Sequence, residues 1–113
     1  MLHKMNFDEY QKKASETAVF PKVRESYVYP TLGLVGETGE FVEKIKKIFR
    51  DKNGKISKKD KEEIIKELGD VLWYLSQVAK ELKIPFEEIA EKNMKKLASR
   101  KIRGKLHGSG DNR

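Results

Sequence analysis

The sequence predicts an all-α fold, a four-helix bundle-like single domain with a flexible basic C-terminal tail. Three observations lead there. A chain of 113 residues has room for one core. Apolar side chains recur at helical spacing in four stretches, and no alternating strand pattern competes with them. Proline and Asn-Gly punctuation separates those stretches.

The first helix is expected over Phe7–Val19, with Asn6 placed to cap it and Glu9 three residues further on. Phe7, Gln11, Ala14 and Ala18 share one face. A proline-bounded connection follows, from Phe20-Pro21 to Tyr29-Pro30. The second helix is expected over Thr31–Arg50. The stretch from Asp51 to Ser57 is a turn, broken by Asn53-Gly54, and Ser57 is the next cap. The third helix is expected over Lys58–Leu82. Lys83-Ile84-Pro85 interrupts the chain, and Pro85 suits the start of a fourth helix running to Arg103. These elements make one domain, residues 1–103. Residues 104–113 hold three glycines and little that can pack, and form the tail.

Composition removes several function classes. There is no cysteine, which excludes a disulfide scaffold and any thiolate metal site. Two histidines, His3 and His107, are too few for a His-based centre. No apolar run approaches the ~20 residues of a bilayer span, and no signal-peptide core is visible. The expectation is a cytoplasmic protein without membrane contact. The net charge is +7, and all of it resides from Lys92 onward, where eight basic residues face one acid, Asp111. A localised excess of this kind suits an anionic partner, whether a nucleic acid, a nucleotide phosphate or a membrane surface. A solvated basic tail is the plainer alternative.

The carboxylates follow a pattern. A residue advances about 100° around a helix axis. On the third helix Ile64, Leu68, Val71, Leu75, Val78 and Leu82 form an apolar stripe. Glu67 lies at its edge, with Glu63, Asp70 and Tyr74 just beyond, within roughly 60°. On the second helix Leu34, Phe41, Ile45 and Ile48 form the stripe, and Glu37 and Glu40 hold the equivalent edge. Two acid-x-x-acid pairs, Glu37/Glu40 and Glu67/Asp70, therefore sit in matched register. Antiparallel packing of these helices would bring the pairs together. Four converging carboxylates repel, and a hard divalent cation relieves that. Oxygen-only ligands favour Mg²⁺, or Mn²⁺, over zinc. The competing reading pairs the acids with lysines, such as Glu40 with Lys44 or Glu67 with Lys66. Gly36, Gly39 and Gly69 beside the acids each cost about 1 kcal/mol relative to alanine within a helix. Close approach of an ion, a phosphate or another backbone would account for them.

On the fourth helix Phe86, Ile89, Ala90 and Leu97 are apolar. Asn93, Lys96 and Arg100 fall within roughly 40° of Ile89, so the cations lie on or beside the apolar arc. That placement suits an anion held at a half-buried edge. Snorkelling of long stems along the core rim is the alternative.

With these residues in view, the chain resembles the all-α nucleoside triphosphate pyrophosphohydrolases of the MazG-like type. The resemblance rests on Gly33-Leu-Val-Gly-Glu37-Thr-Gly-Glu40-Phe-Val-Glu43, on Lys66-Glu67-Leu-Gly-Asp70-Val-Leu-Trp-Tyr74-Leu, and on Asn93-Met-Lys-Lys96-Leu-Ala-Ser-Arg100. The closing segment from Gly104 to Arg113 looks like the tail of small single-domain members. Many members have a further Glu where this chain has Gly36. The resemblance implies Mg²⁺-dependent hydrolysis of a dNTP or NTP to the monophosphate and pyrophosphate, by metal-activated water attacking the α-phosphate, in nucleotide-pool house-cleaning. It implies Glu37, Glu40, Glu67 and Asp70 as metal ligands. Among the catalytic residues, Glu40 or Glu43 would take the water's proton. Asn93, Lys96 and Arg100 would hold phosphate oxygens. Tyr74 would contact sugar or base, or be a packed rim aromatic. Gln11 would read a base edge, or be an ordinary bonded core glutamine. Tyr27, Tyr29 and Trp73 are candidate stacking groups. The resemblance also implies a homodimer or homotetramer. A small basic helical protein that binds nucleic acid, or a scaffold without catalysis, is the alternative. The acid pairs argue against it, since they would repel a phosphate backbone.

Overall fold

In a computed structural model, which describes residues 3–21 and 24–113, four helices account for the fold and no strand occurs among the described residues. They are α1 (Phe7–Ser15), α2 (Val28–Lys52), α3 (Lys58–Glu81) and α4 (Phe86–Ile102). The all-α expectation holds, with shifts at helix ends that have local causes.

Asn6 caps α1, its Oδ1 accepting from the Glu9 N–H at 2.8 Å. The helix ends at Ser15 rather than Val19. There the Ser15 and Thr17 hydroxyls donate back to the Gln11 and Ala14 carbonyls, which competes with helix continuation. α2 begins at Val28, earlier than expected, because Pro30 sits in its first turn, where a missing N–H is harmless. Asn53 adopts a left-handed conformation (φ 57°) and Gly54 follows at φ 80°, ending α2. Ser57 and Asp60 form a reciprocal capping box at the start of α3. α3 closes with Lys83 left-handed, the Ile84 N–H reaching the Ala79 carbonyl at 2.8 Å and the Lys83 N–H reaching Lys80. Pro85 is the N-cap of α4.

α2 and α3 pack antiparallel across the turn at residues 53–57, tied by Lys44–Glu63 at 2.6 Å and Lys52–Asp60 at 2.9 Å. α1 lies on α3, and α4 packs on α1 and α3 but not on α2. The α1–α4 joint is specific. Phe86 is buried and meets Phe7 edge-on with ring centroids 5.3 Å apart. Asp8 accepts from the Glu87 N–H, and Glu87 accepts from the Phe7 N–H.

The core is small. Ala14, Pro30, Ile48, Ala79 and Phe86 are its buried apolar residues among those described, beside buried Ser76 and Gln77. Part of the expected stripe on α3 is uncovered, because Leu68, Leu75 and Leu82 are exposed at seven-residue spacing. Val35, Val42 and Phe49 repeat the pattern on α2. Both helices have outward apolar seams of the kind that pairs helices between chains. The radius of gyration is 17.1 Å, against about 13 Å for a compact chain of this length.

Beyond α4 the basic tail follows. Gly104 is left-handed (φ 69°) and closes the helix. Residues 105–113 then turn back. The Arg113 guanidinium donates to the carbonyls of Lys105, Leu106 and Gly110. No helix among the described residues is long and apolar enough to cross a membrane.

Candidate metal centre

Matched register on α2 and α3 has its expected consequence. Glu37, Glu67 and Asp70 each present a carboxylate oxygen, and these oxygens lie within 4.8 Å of one another. Glu37 and Glu67 are half-buried, and each has an Oε2 that is shielded from solvent and has no hydrogen-bond partner. Among the described residues no lysine or arginine pairs with Glu37, Glu40, Glu67 or Asp70. The lysine-pairing alternative fails on particulars, since Lys44 goes to Glu63 instead of Glu40. Burial, then the charge of Glu40, then those of Asp70 and Glu67, raise the Glu37 carboxyl above the usual carboxylate range. Buried acceptors without donors cost about 1–3 kcal/mol each, more when charged. The donor set is oxygen-only and suits a hard divalent cation.

Glu40 is exposed, next to Glu37 but outside the group of three. Glu43 lies one turn further along α2 and is directed elsewhere. It pairs with Lys46 at 2.9 Å, and that bond holds its carboxyl below the usual range. Together with Glu40, Lys44, Asp51 and Asp60 it lines a mixed-charge groove between α2 and α3.

Beside the carboxylates is a cleft of about 350 Å³ lined by Thr17, Glu37, Asp70, Trp73 and Tyr74. A second cleft, of about 270 Å³, continues from it and is walled by Phe20, Pro21 and Tyr29 together with Thr17, Trp73 and Tyr74. Its rings are ordered by one another. Phe20 stacks on Tyr29 (5.5 Å, 12°), and Trp73 stands edge-on to Phe20 and to Tyr74. The Trp73 indole N–H donates to Thr17 Oγ1 at 3.0 Å and to the Ala14 carbonyl at 3.2 Å, which fixes its plane. Burial raises the Tyr74 hydroxyl pKa, with Tyr29, Glu37 and Asp70 adding to it. Tyr74 and two of the three candidate stacking groups, Tyr29 and Trp73, line these clefts. Tyr27, the N-cap of α2, does not. Thr17 and Phe20 were not expected here. Their only signal in the sequence was position, just beyond a helix end and before Pro21.

No other part of the chain crowds the glycines beside the acids. A Cβ on Gly36, Gly39 or Gly69 would meet nothing within 4 Å in this chain. Gly33 is the constrained position, where a Cβ would run into the Tyr74 ring. Gln11 is an interior, bonded glutamine, the second of its two expected readings. Its Nε2 donates to the Ser76 and Ile84 carbonyls, and its Oε1 accepts from the Phe86 N–H. It clasps α1, α3 and the start of α4 together.

Among the described residues no cation of α4 pairs with the carboxylates, and α4 does not touch α2. Asn93 is exposed. Lys96 and Arg100 instead hold Asp111 of the closing segment.

A family model described as the MazG nucleotide pyrophosphohydrolase domain matches residues 29–103. This chain belongs to the MazG nucleotide pyrophosphohydrolase family. The match spans α2, α3 and α4, and so includes every carboxylate of the centre. A "Gene 37 protein" of Mycobacterium phage L5 is 46% identical over 114 residues, covering 96% of this chain and all of that protein. Its name carries no activity. No solved structure matches the chain.

Proposed function

We propose that this MazG-family chain hydrolyses a nucleoside triphosphate, a dNTP or an NTP, to the monophosphate and pyrophosphate with Mg²⁺ or Mn²⁺. The observation that carries this reading is the convergence of Glu37, Glu67 and Asp70 with two orphaned buried oxygens and, among the described residues, no lysine or arginine paired with them. Those three carboxylates hold the ion, and Glu40 stands at the edge of the set. A divalent ion bound there supplies Lewis acidity toward phosphate oxygens and lowers the pKa of water. Water attacks the α-phosphorus, the bond to the bridging oxygen of the β-phosphate breaks, and pyrophosphate leaves. Glu40 is the better-placed acceptor for the water's proton, since it adjoins Glu37 and has no cationic partner among the described residues. Glu43 is committed to Lys46, and its lowered pKa makes it a weaker base.

The aromatic clefts continuing from Glu37 and Asp70 support a nucleotide rather than inorganic polyphosphate as substrate. Phe20, Tyr29, Trp73 and Tyr74 offer ring faces and edges for a base. Asn93, Lys96 and Arg100 hold phosphate oxygens in this reading. Because α4 does not reach α2 in one chain, the complete site needs a second copy. The exposed seams Val35/Val42/Phe49 and Leu68/Leu75/Leu82 support a homodimer or homotetramer. So does the accessible surface of 9025 Å², against about 6,400 Å² for a compact monomer of this mass. The role that fits is nucleotide-pool house-cleaning in the cytoplasm.

Incubation with each dNTP and NTP, with Mg²⁺ and with EDTA, tests the reading by pyrophosphate release. Turnover of at least one nucleotide, abolished by EDTA, is expected. If no nucleotide is turned over with either metal, the reading fails.

A further inference from the structure

We propose that the closing segment is a built-in competitor for phosphate, with the Asp111 carboxylate seated between Lys96 and Arg100 until an anionic ligand displaces it. The inference rests on the reading of Lys96 and Arg100 as phosphate contacts and deepens it. Lys96 Nζ lies 2.6 Å from Asp111 Oδ1. One guanidinium nitrogen of Arg100 donates to the same oxygen at 3.0 Å and also to the Asp111 carbonyl. Arg100 is buried, only 5% exposed, whereas most of the Asp111 side chain, 76%, faces solvent.

The seat is only partly satisfied. Two cations face one carboxylate. The Arg100 Nε–H is buried and has no acceptor. A carboxylate offers two oxygens and one charge. A terminal phosphate offers three oxygens and up to two charges, which matches two cations and a spare donor better. The chain is also built to let go. Residues 104–112 are all exposed, so leaving exposes no apolar core. Gly104, Gly108 and Gly110 have φ of 69°, 140° and 88°, giving three joints where side chains would resist the backbone. Arg113 holds the loop in shape by bonding to carbonyls of residues 105, 106 and 110, and its own carbonyl accepts from Arg103 at 2.9 Å, an exposed bond that water can replace. A tethered carboxylate competes at an effective concentration in the millimolar range, comparable to a free ligand.

The test uses the full chain without metal, at fixed ionic strength, with inorganic pyrophosphate as the probe. Calorimetry on wild type and Asp111→Asn is expected to show tighter binding in the variant, by about two- to fivefold, the worth of an exposed ion pair. Nitrogen–proton NMR on wild type is expected to show the Arg100 Nε–H signal shifting as pyrophosphate is added. The Asp111 and Asn112 amides should shift in parallel as the loop leaves its seat. Equal or weaker binding by Asp111→Asn overturns the proposal, since it would make Asp111 a support for Arg100. Tail amides that stay in place while Arg100 shifts also overturn it. If pyrophosphate perturbs neither Lys96 nor Arg100 in Asp111→Asn, the phosphate reading of α4 falls and the proposal with it. Metal-dependent nucleotide turnover would be judged separately by its own assay.

Discussion

Replacing Glu67 with Gln should do two opposite things. The shape is kept, one charge is removed, and the orphaned buried oxygen of Glu67 gives way to an amide that can donate to Glu37 or Asp70. At 4.8 Å, two unit charges repel by about 0.9 kcal/mol in water and about 3.5 kcal/mol at an effective dielectric of 20. Glu67 takes part in two such pairs, with Glu37 and with Asp70. The group is half-exposed, so the lower limit is nearer, and relief of roughly 1–2 kcal/mol is expected without metal. For a domain of this size that raises the metal-free Tm by about 4–8 °C. With Mg²⁺ at about a hundred times its Kd, wild type should gain about 2.7 kcal/mol, or about 10 °C, and Glu67→Gln close to nothing. Thermal melts in EDTA and in a Mg²⁺ series read both numbers, and pyrophosphate release should be lost in the same variant. A Glu67→Gln protein that melts lower than wild type in EDTA, and keeps its Mg²⁺ shift, would refute the assignment of these carboxylates as a metal-relieved cluster.

Gln11→Ala should lower stability by about 2–3 kcal/mol through three abandoned hydrogen bonds, yet leave the preference among bases unchanged in a substrate profile. Gly33→Ala gains about 1 kcal/mol in helix propensity but drives a methyl into the Tyr74 ring at about 1–3 kcal/mol. KM for the nucleotide should rise in this variant, and an unchanged KM would remove Tyr74 from the binding cleft. Phe49→Glu places a charge on the α2 seam and should yield monomers by light scattering, with little turnover. Asp60 is pulled down to about 2 by the Ser57 backbone N–H first and by Lys52 next. Its folded pKa lies below the ordinary value of 3.8, so it adds stability that is complete above that value and is lost as pH falls toward 2. Acid melts of Asp60→Asn should lack that step.

How much was legible in the sequence differs from element to element. Caps such as Asn6 and Ser57 were readable because an N-cap is a bond between neighbours three residues apart. The end of α1 was not, since Ser15 and Thr17 had to be seen turning back on Gln11 and Ala14. The pairing of Glu37 with Glu67 and Asp70 was readable from register, because two antiparallel helices with matched stripes have few ways to meet. Glu43 looked equivalent to Glu40 on spacing, and only the Lys46 contact separated them. Leu68, Leu75 and Leu82 looked like core, because periodicity reports an apolar face without saying whether the chain itself covers it.

By itself the sequence determined four helices, their turns, an acid register that converges, and a net charge of +7 confined to the last helix and tail. These follow from local geometry and from the helical repeat, which any reader of 113 residues can apply. Tertiary structure decided the rest. It selected three carboxylates as the tight group, assembled Thr17, Phe20, Tyr29 and Trp73 from separate segments, used Gln11 as a clasp, and placed Asp111 on Lys96 and Arg100. Each of these depends on distances between segments far apart in the chain. Spacing along one helix cannot supply those distances, since they arise only when the elements pack.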